Sequence, residues 1–278
     1  MSAVSSRKIL WQEMRRPELE EMVQQKALVL VPCGSIEQHG PHLPVDTDSN
    51  QAWEICLRAA SAVSDPPVLV APLIWSGFSP HHLRLAGTLS LRLETFIALI
   101  TDICTSINRH GFRKIVLVNG HGGNSAPLTA TALKLMEEFD LYVAVVTYWR
   151  LIGKVLEEVG ESPIGGMAHA CEMETSFQLR LRPDKVDTQF MPTEYKKPLT
   201  SFFLADMRAS GSAFYPDDFA LETKYGLIGD PSLASAEKGA RMLSAVVEEL
   251  ARFIHEFASA PDKGGGTPVR ARPSTAAH

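Results

Sequence analysis

Fifteen consecutive residues, GSIEQHGPHLPVDTD (34–48), hold three carboxylic acids and two histidines, broken up by two glycines and two prolines. Imidazole nitrogens and carboxylate oxygens are the donors that zinc, manganese and iron accept, so this composition points to a divalent-metal site. In an extended segment residues two apart project to one side, which lets Glu37 and His39 aim at a common point. Asp48 can fold back onto that point across the Gly- and Pro-containing turn. Two other segments repeat the mixture. NGHGGN places His121 directly after an apolar run, and HACEMETS supplies His169, Glu172 and Glu174. If a helix begins in the last of these, His169 and Glu172, three apart, share a face while Glu174 turns away.

Each residue also has a plainer reading. His121 could be a satisfied loop residue, Glu37 a turn or helix-dipole acid, and His42, after Pro41, merely solvated. Asp48, just before Ser49 and Asn50, could cap the next helix. Three separate segments rich in His and acid, two of them at strand ends, are harder to explain as surface polarity than any one alone. Cys33 and Cys171 are nucleophiles by type, but their apolar or metal-rich settings favour buried structural thiols. GHGGN lacks the third glycine of a dinucleotide fingerprint, Ser125 standing there, and no acid for a ribose ends the next strand. The HGG run has no G-x-S-x-G nucleophile elbow to go with it.

The elements that must hold these residues are legible as apolar runs. ALVLVPCG (27–34), PVLVAPLIW (67–75), RKIVLVNG (113–120) and LYVAVVTYW (141–149) read as buried strands. Helix candidates lie between them at about 49–63, 93–109 and 124–138. In the second, Phe96, Ile97, Leu99, Ile100, Ile103 and Ile107 make one broad face, and Gly111 is the expected C-terminal cap. Strand–helix alternation predicts a mostly parallel sheet covered on both sides, with ligands at the carboxyl ends of its strands. The Gly-, Pro- and aromatic-rich stretch 160–232 predicts loops and one short helix. A long helix follows from about Leu233 to Ala258, with Leu243, Val246, Val247, Leu250 and Ile254 inside. One domain is expected over 1–260, with residues 261–278 as a mobile tail too poor in apolar groups to fold.

Bulk properties narrow the function. The 278 residues suffice for one large α/β domain. A formal charge of −5, with Lys and Arg scattered, offers no stripe for a phosphate backbone, so no nucleic-acid partner is expected. The apolar runs are too short to span a bilayer, the N-terminus lacks a signal-peptide core, and the four cysteines have no paired spacing, so the expectation is a cytoplasmic protein with no membrane segment.

Together GSIEQHGPHLPVDTD, NGHGGN and HACEMETS resemble the creatininase family of metal-dependent amidohydrolases. SPHHLRLAGTLSL and GLIGDPSLASAEKG extend the likeness to about residues 30–240. The resemblance implies a three-layer α/β/α sandwich, two divalent ions (Zn, Mn or Fe) per subunit, and a homo-oligomer, commonly a hexamer. Carried onto matching positions, it makes Glu37, His39, Asp48 and His121 metal ligands, with Asp48 bridging, and His169 the proton-handling residue. Where creatinine hydrolases carry a glutamate ligand, Gly123 stands here. The fifth ligand must come from elsewhere, and Glu172 is the expected choice, with Glu174 next. Ala86, His81 and Cys171 also depart from the usual Pro, acid and Gly. The HGGN form is similar to the branch with formamide-cleaving and peptide-trimming members. The expected activity is hydrolysis of an amide C–N bond in a small molecule, cyclic or formylated. The backbone N–H groups of Gly122, Gly123 and Asn124 would serve as oxyanion donors. Alternatives are a metal-dependent peptidase, a true creatinine hydrolase and a non-catalytic metal-binding protein.

Overall fold

The computed structural model describes residues 8–263. In chain order the helices are α1 (Arg16–Gln24), α2 (Thr47–Ala62), α3 (Leu93–Arg109), α4 (Ser125–Phe139), α5 (Gly153–Val159), α6 (Glu172–Leu181), α7 (Phe219–Glu222) and α8 (Ala236–Ser259). The strands are β1 (Leu28–Cys33), β2 (Val68–Val70), β3 (Lys114–Asn119), β4 (Ala144–Thr147), β5 (Met167–His169), β6 (Ala205–Asp206), β7 (Ala209–Ser210) and β8 (Ile228–Gly229). The tail expected over 261–278 lies, from residue 264 onward, outside the described residues.

Strands β1–β4 form a parallel sheet in the order β2-β1-β3-β4. Alternate side chains sort into two cores. Leu28 and Leu30 of β1 and Val116 and Val118 of β3 face α2 and α8, with Ile55, Val246 and Leu250. Val29, Val31, Ile115 and Leu117 face α3 and α4, with Phe96, Ile100 and Leu128. The result is a three-layer α/β/α sandwich whose sheet is buried on both faces, which is why its strands read as continuous apolar runs. β2 stops sooner than its run suggested: the Ala71 N–H still donates to Leu30 O, but Pro32 of β1 has no N–H to return, and pairing resumes only with the Ile74 N–H on Pro32 O. Ile74 rejoins the sheet as an isolated bridge to Cys33. The apolar face of α3 is also narrower than expected, since Leu99 is 37% exposed. Gly111 ends that helix at φ 105°, a left-handed position where glycine bears no Cβ penalty. Among the described residues no helix is long and apolar enough to cross a membrane.

The α8 helix begins at an N-cap, Ser235, whose hydroxyl accepts from the Lys238 N–H, and packs along α6. At Gly239 the two helices come so close that a Cβ would stand 1.9 Å from the Ser176 carbonyl oxygen. Gly239→Ala is expected to force the pair apart and destabilise the fold by about 1–3 kcal/mol, read as a lowered urea midpoint. An unchanged midpoint would mean the helices are not in this contact.

The stretch 160–232 holds more structure than loops and one helix. Besides α6 it contains two antiparallel strand pairs, β5 with β8 and β6 with β7. The β6–β7 turn is clamped onto the segment leading into β5. Arg208 forks onto Asp206 at 2.9 and 2.8 Å and donates to the Ser162 and Pro163 carbonyls. Asp206 also accepts from the Gly165 and Met167 N–H groups. Burial would raise the Asp206 carboxyl, but Arg208 and the backbone donors outweigh it and hold it below its ordinary value. A carboxyl lowered in the folded state stabilises fully above its unfolded value, near 3.9, and loses that contribution as pH falls toward the folded value. Urea midpoints should therefore drop less for Asp206→Asn than for the parent chain between about pH 5 and pH 2. Parallel curves would refute the clamp.

Candidate metal centre

The register of the sheet builds the site. β1 and β3 pair from Leu28↔Lys114 to Cys33↔Asn119, so they end level, and each is followed by a glycine. A Cβ on Gly34 would stand 2.4 Å from the Ser49 Cα, and one on Gly120 would stand 2.8 Å from the Asp48 carbonyl oxygen. Without those side chains the first turn of α2 seats directly on the two strand ends. Asp48 thus lies in a helical turn and not on the loop; the N-cap position falls at Asp46, and Asp48 Oδ1 meets His39 instead of a backbone N–H. It is 2% exposed.

Around it four expected residues come together. His121 Nδ1 is 3.1 Å from Glu37 Oε2 and 3.1 Å from Asp48 Oδ2. His39 Nε2 is 3.1 Å from Asp48 Oδ1 and 3.7 Å from Glu174 Oε1. The outer nitrogen of each ring meets a backbone carbonyl. His121 Nε2 lies 3.2 Å from Phe78 O, and His39 Nδ1 lies 3.1 Å from Glu37 O. A carbonyl can only accept, so each outer nitrogen carries the proton and each inner nitrogen, in a neutral ring, presents a lone pair to two carboxylate oxygens. Acceptors facing acceptors repel unless a cation sits among them. Asp48 Oδ2 in particular satisfies no hydrogen bond although it is buried. The donors form two overlapping sets, Glu37–Asp48–His121 and His39–Asp48–Glu174, with one oxygen of Asp48 in each and with Glu37, His39 and Asp48 also within reach of one another.

Among the described residues no Lys or Arg neutralises these three carboxylates; their ion-pair partners are imidazoles. Burial pushes the His121 ring down, but Glu37 and Asp48 overcome it and raise it to about 10. Burial likewise opposes His39, and Asp48 and Glu174 raise it well above its ordinary value. Asp48 is lowered by the same two rings against the pull of burial. The centre attracts positive charge strongly.

Glu172, expected as a ligand and catalytic residue, is not in this centre. Its carboxylate accepts from the N–H groups of Glu161 and Ser162 and the Ser162 hydroxyl, and it pairs with Lys238. The expectation assumed a helix already running at His169. Instead His169 ends β5, Ala170 takes a left-handed φ of 48°, and α6 starts only at Glu172. The i, i+3 relation therefore never forms, and Glu174 turns inward. The capping box of α6 helps aim it. Glu174 Oε2 accepts from the Cys171 N–H at 3.4 Å, leaving Oε1 toward His39. Position 123 can supply nothing, because a Cβ there would stand 2.3 Å from Phe78 O and 2.5 Å from His121 Nε2. Of the expected oxyanion donors, the Asn124 N–H is taken by His121 O.

His169 completes the wall. Its Nε2 donates to Gln38 O at 2.9 Å, so Nδ1, 3.5 Å from Glu37 Oε1, is a free base. Burial, then His39, keep the ring neutral. Sequence reasoning missed Gln38, Ser79 and His82. Ser79 Oγ is 3.0 Å from His121 Nε2, and His82 Nε2 is 3.5 Å from Glu37 Oε1. The only hint of the last two was the His pair in SPHHL. His42, left as possibly solvated, is buried and bonded to Thr175 at 2.9 Å. Phe219 of α7 lies over His82 and His169, with ring centroids 4.1 and 5.0 Å away. Ion pairs of Arg84 with Asp218 and of Lys196 with Asp217 and Glu222 hold this cover down.

The chain is similar to known proteins in sequence and in fold. The Creatininase family model, described as creatinine amidohydrolase, matches residues 12–254. A mycofactocin precursor peptide peptidase of Mycobacterium tuberculosis is 33% identical over 84% of this chain and 87% of its own. A creatinine amidohydrolase of Pseudomonas putida is 28% identical over 82% of this chain and 89% of its own. Among solved structures, a creatininase mutant of Zn-Zn type superposes with a TM-score of 0.78 at 26% identity, covering 92% of this chain and all of the other.

Proposed function

The chain belongs to the creatininase family, and from that premise we propose that it is a metal-dependent amidohydrolase that cleaves an amide C–N bond in a small molecule, using two divalent ions per subunit. The observation that carries the reading is Asp48, whose two oxygens face two different imidazoles, each flanked by a further carboxylate. Glu37, Asp48 and His121 would hold one cation, and His39, Asp48 and Glu174 the other. Zn, Mn or Fe suits these N and O donors. When bound, such a pair supplies an acidified water and a polarised carbonyl. His169, neutral and with its Nδ1 lone pair turned inward, takes the proton of the attacking water and returns it to the departing nitrogen. Gln38 O holds that ring in place, and Phe219 screens it from solvent. Of the three expected oxyanion donors, Gly122 and Gly123 would supply the N–H groups, since that of Asn124 is taken by His121 O.

A second reading, trimming of a short peptide, is favoured by the 33% identity to the mycobacterial peptidase. Both readings need the same centre and differ in what the cover admits. The test is turnover of metal-loaded protein on creatinine, hydantoins, lactams, formamides and short peptides. Turnover of one class, lost on chelation and restored by Zn²⁺ or Mn²⁺, supports amide hydrolysis and selects between the readings; metal-independent turnover overturns it. A cytoplasmic location is in keeping with four buried free cysteines. A homo-oligomer is in keeping with Leu133, Met136 and Phe139, which α4 exposes.

A further inference from the structure

Gln38 sits between two proposed ligands and is 7% exposed, yet the reaction gives its side chain no task. Its amide has four polar atoms within reach, and they leave one solution. The Gly226 carbonyl, which can only accept, lies 2.7 Å from Nε2. The Gly40 N–H, which can only donate, lies 3.0 Å from Oε1. A flipped amide would set oxygen against oxygen and N–H against N–H, so the orientation is fixed. One amide hydrogen remains. Two ring nitrogens are within reach, His82 Nδ1 at 2.9 Å and His169 Nε2 at 3.1 Å. His169 Nε2 carries its own hydrogen, donated to Gln38 O, and cannot accept. The hydrogen therefore goes to His82 Nδ1, which must bear a lone pair. His82 then has its proton on Nε2, the nitrogen 3.5 Å from Glu37 Oε1.

We propose that Gln38 is a positioning residue that fixes His82 as its Nε2–H form, so that His82 engages Oε1 of Glu37 and leaves Oε2, beside His121, for the cation. This assignment rests on the metal-centre reading above. It also ties the centre to its cover. Gly226, at φ 73°, belongs to the segment that follows α7, and a Cβ on it would stand 2.2 Å from Gln38 Oε1. The cover's backbone is seated on the same amide that orders His82. A hydrogen-bond partner behind a metal-binding side chain is commonly worth 10- to 100-fold in metal affinity, and that is the effect expected here.

The test uses ¹⁵N-histidine-labelled full chain, freed of metal, with His82→Gln identifying the His82 signals. The parent chain should show His82 as the Nε2–H tautomer, and Gln38→Met should lose that preference. Gln38→Glu keeps the side-chain volume, but a carboxyl has at most one proton and cannot serve both Gly226 and His82, so it should behave alike. Titration with Zn²⁺ against a chromophoric chelator should show affinity lowered about 10- to 100-fold in both variants. A glutamine at position 82 presents a donor with no tautomer to lose. In the His82→Gln background, Gln38→Met should therefore cost less than about threefold, a coupling that a purely structural role for Gln38 would not produce. An Nδ1–H tautomer in the parent chain, unchanged Zn²⁺ affinity in the Gln38 variants, or the same fold-loss in both backgrounds overturns the assignment. A parent chain that takes up no Zn²⁺ overturns the metal reading and this assignment with it. The tautomer spectrum, recorded without metal, separates that result from a failure of the Gln38 contact alone.

Discussion

Asp48→Asn is expected to purify without bound divalent metal and with no measurable amide hydrolysis. One oxygen of Asp48 belongs to each donor set, at 3.1 Å from His39 Nε2 and 3.1 Å from His121 Nδ1. An asparagine keeps the shape but turns one oxygen into an N–H₂ donor that cannot face a cation, and it removes one of three buried negative charges. Turnover should fall by more than the roughly 100-fold that a supporting hydrogen-bond partner costs. The fold should survive, because Asp48 Oδ1 meets His39 and Oδ2 meets no backbone N–H that the helix needs capped. Stability should also lose its response to metal. Cation at about 1,000 times its Kd adds about 4 kcal/mol to the folded state. The parent chain should melt at a clearly lower temperature after chelation, and Asp48→Asn should melt at the same temperature with or without chelator. Elemental analysis showing two metal equivalents in the variant, with turnover above about 1% of the parent, would sink the bridging role.

Glu174→Gln and Glu172→Gln should give opposite profiles, though the residues are only two apart. Glu174 Oε1 faces His39, so its loss should empty one of two metal positions and leave the Glu37–Asp48–His121 set filled. Activity should drop with the missing equivalent while the melt of the metal-free protein stays close to the parent's. Glu172 should behave the other way. Its carboxylate is 1% exposed and ties the segment at 161–162 to Lys238 of α8. Glu172→Gln should keep both metals yet destabilise the chain by about 2 kcal/mol, the scale of hydrogen bonds to a charged group. Burial works against the Glu172 carboxylate, but Lys238, Ser162 and two backbone N–H groups outweigh it and hold its pKa below the ordinary value. The stability it contributes is therefore present at neutral pH and fades in acid, and the gap between variant and parent should narrow below about pH 4. Full metal content in Glu174→Gln, together with a missing equivalent in Glu172→Gln, would reverse the assignment.

Those two glutamates mark where the sequence stops being readable. Glu37, His39 and His121 could be placed because they follow apolar strands directly, and a strand's end fixes the rim to which its loop belongs. The parallel sheet and its two helical layers were legible for the same reason: buried strands must be apolar on both faces. HACEMETS offered no such anchor. Whether its first or second acid faces the centre depends on a single left-handed residue, Ala170, which shifts the start of α6. An alanine at positive φ has no local signature, because tertiary packing sets it against its own preference. Gln38 and His82 were hidden for a related reason. Their importance lies in hydrogen bonds to Gly226 and Glu37, partners far off in the chain or facing them only through tertiary packing, which no spacing rule encodes.

The pair of glycines under α2 has one more consequence. Because Asp48 rides a helix that is itself packed into the interior, the proposed metal corner is built on buried secondary structure. What lies above it comes from surface segments fastened by largely half-buried charge pairs. Exchanging the stretch around 186–226 between relatives could thus redirect which compounds enter while leaving the chemistry below untouched, a separation that lets one scaffold be retuned to new substrates by editing its roof.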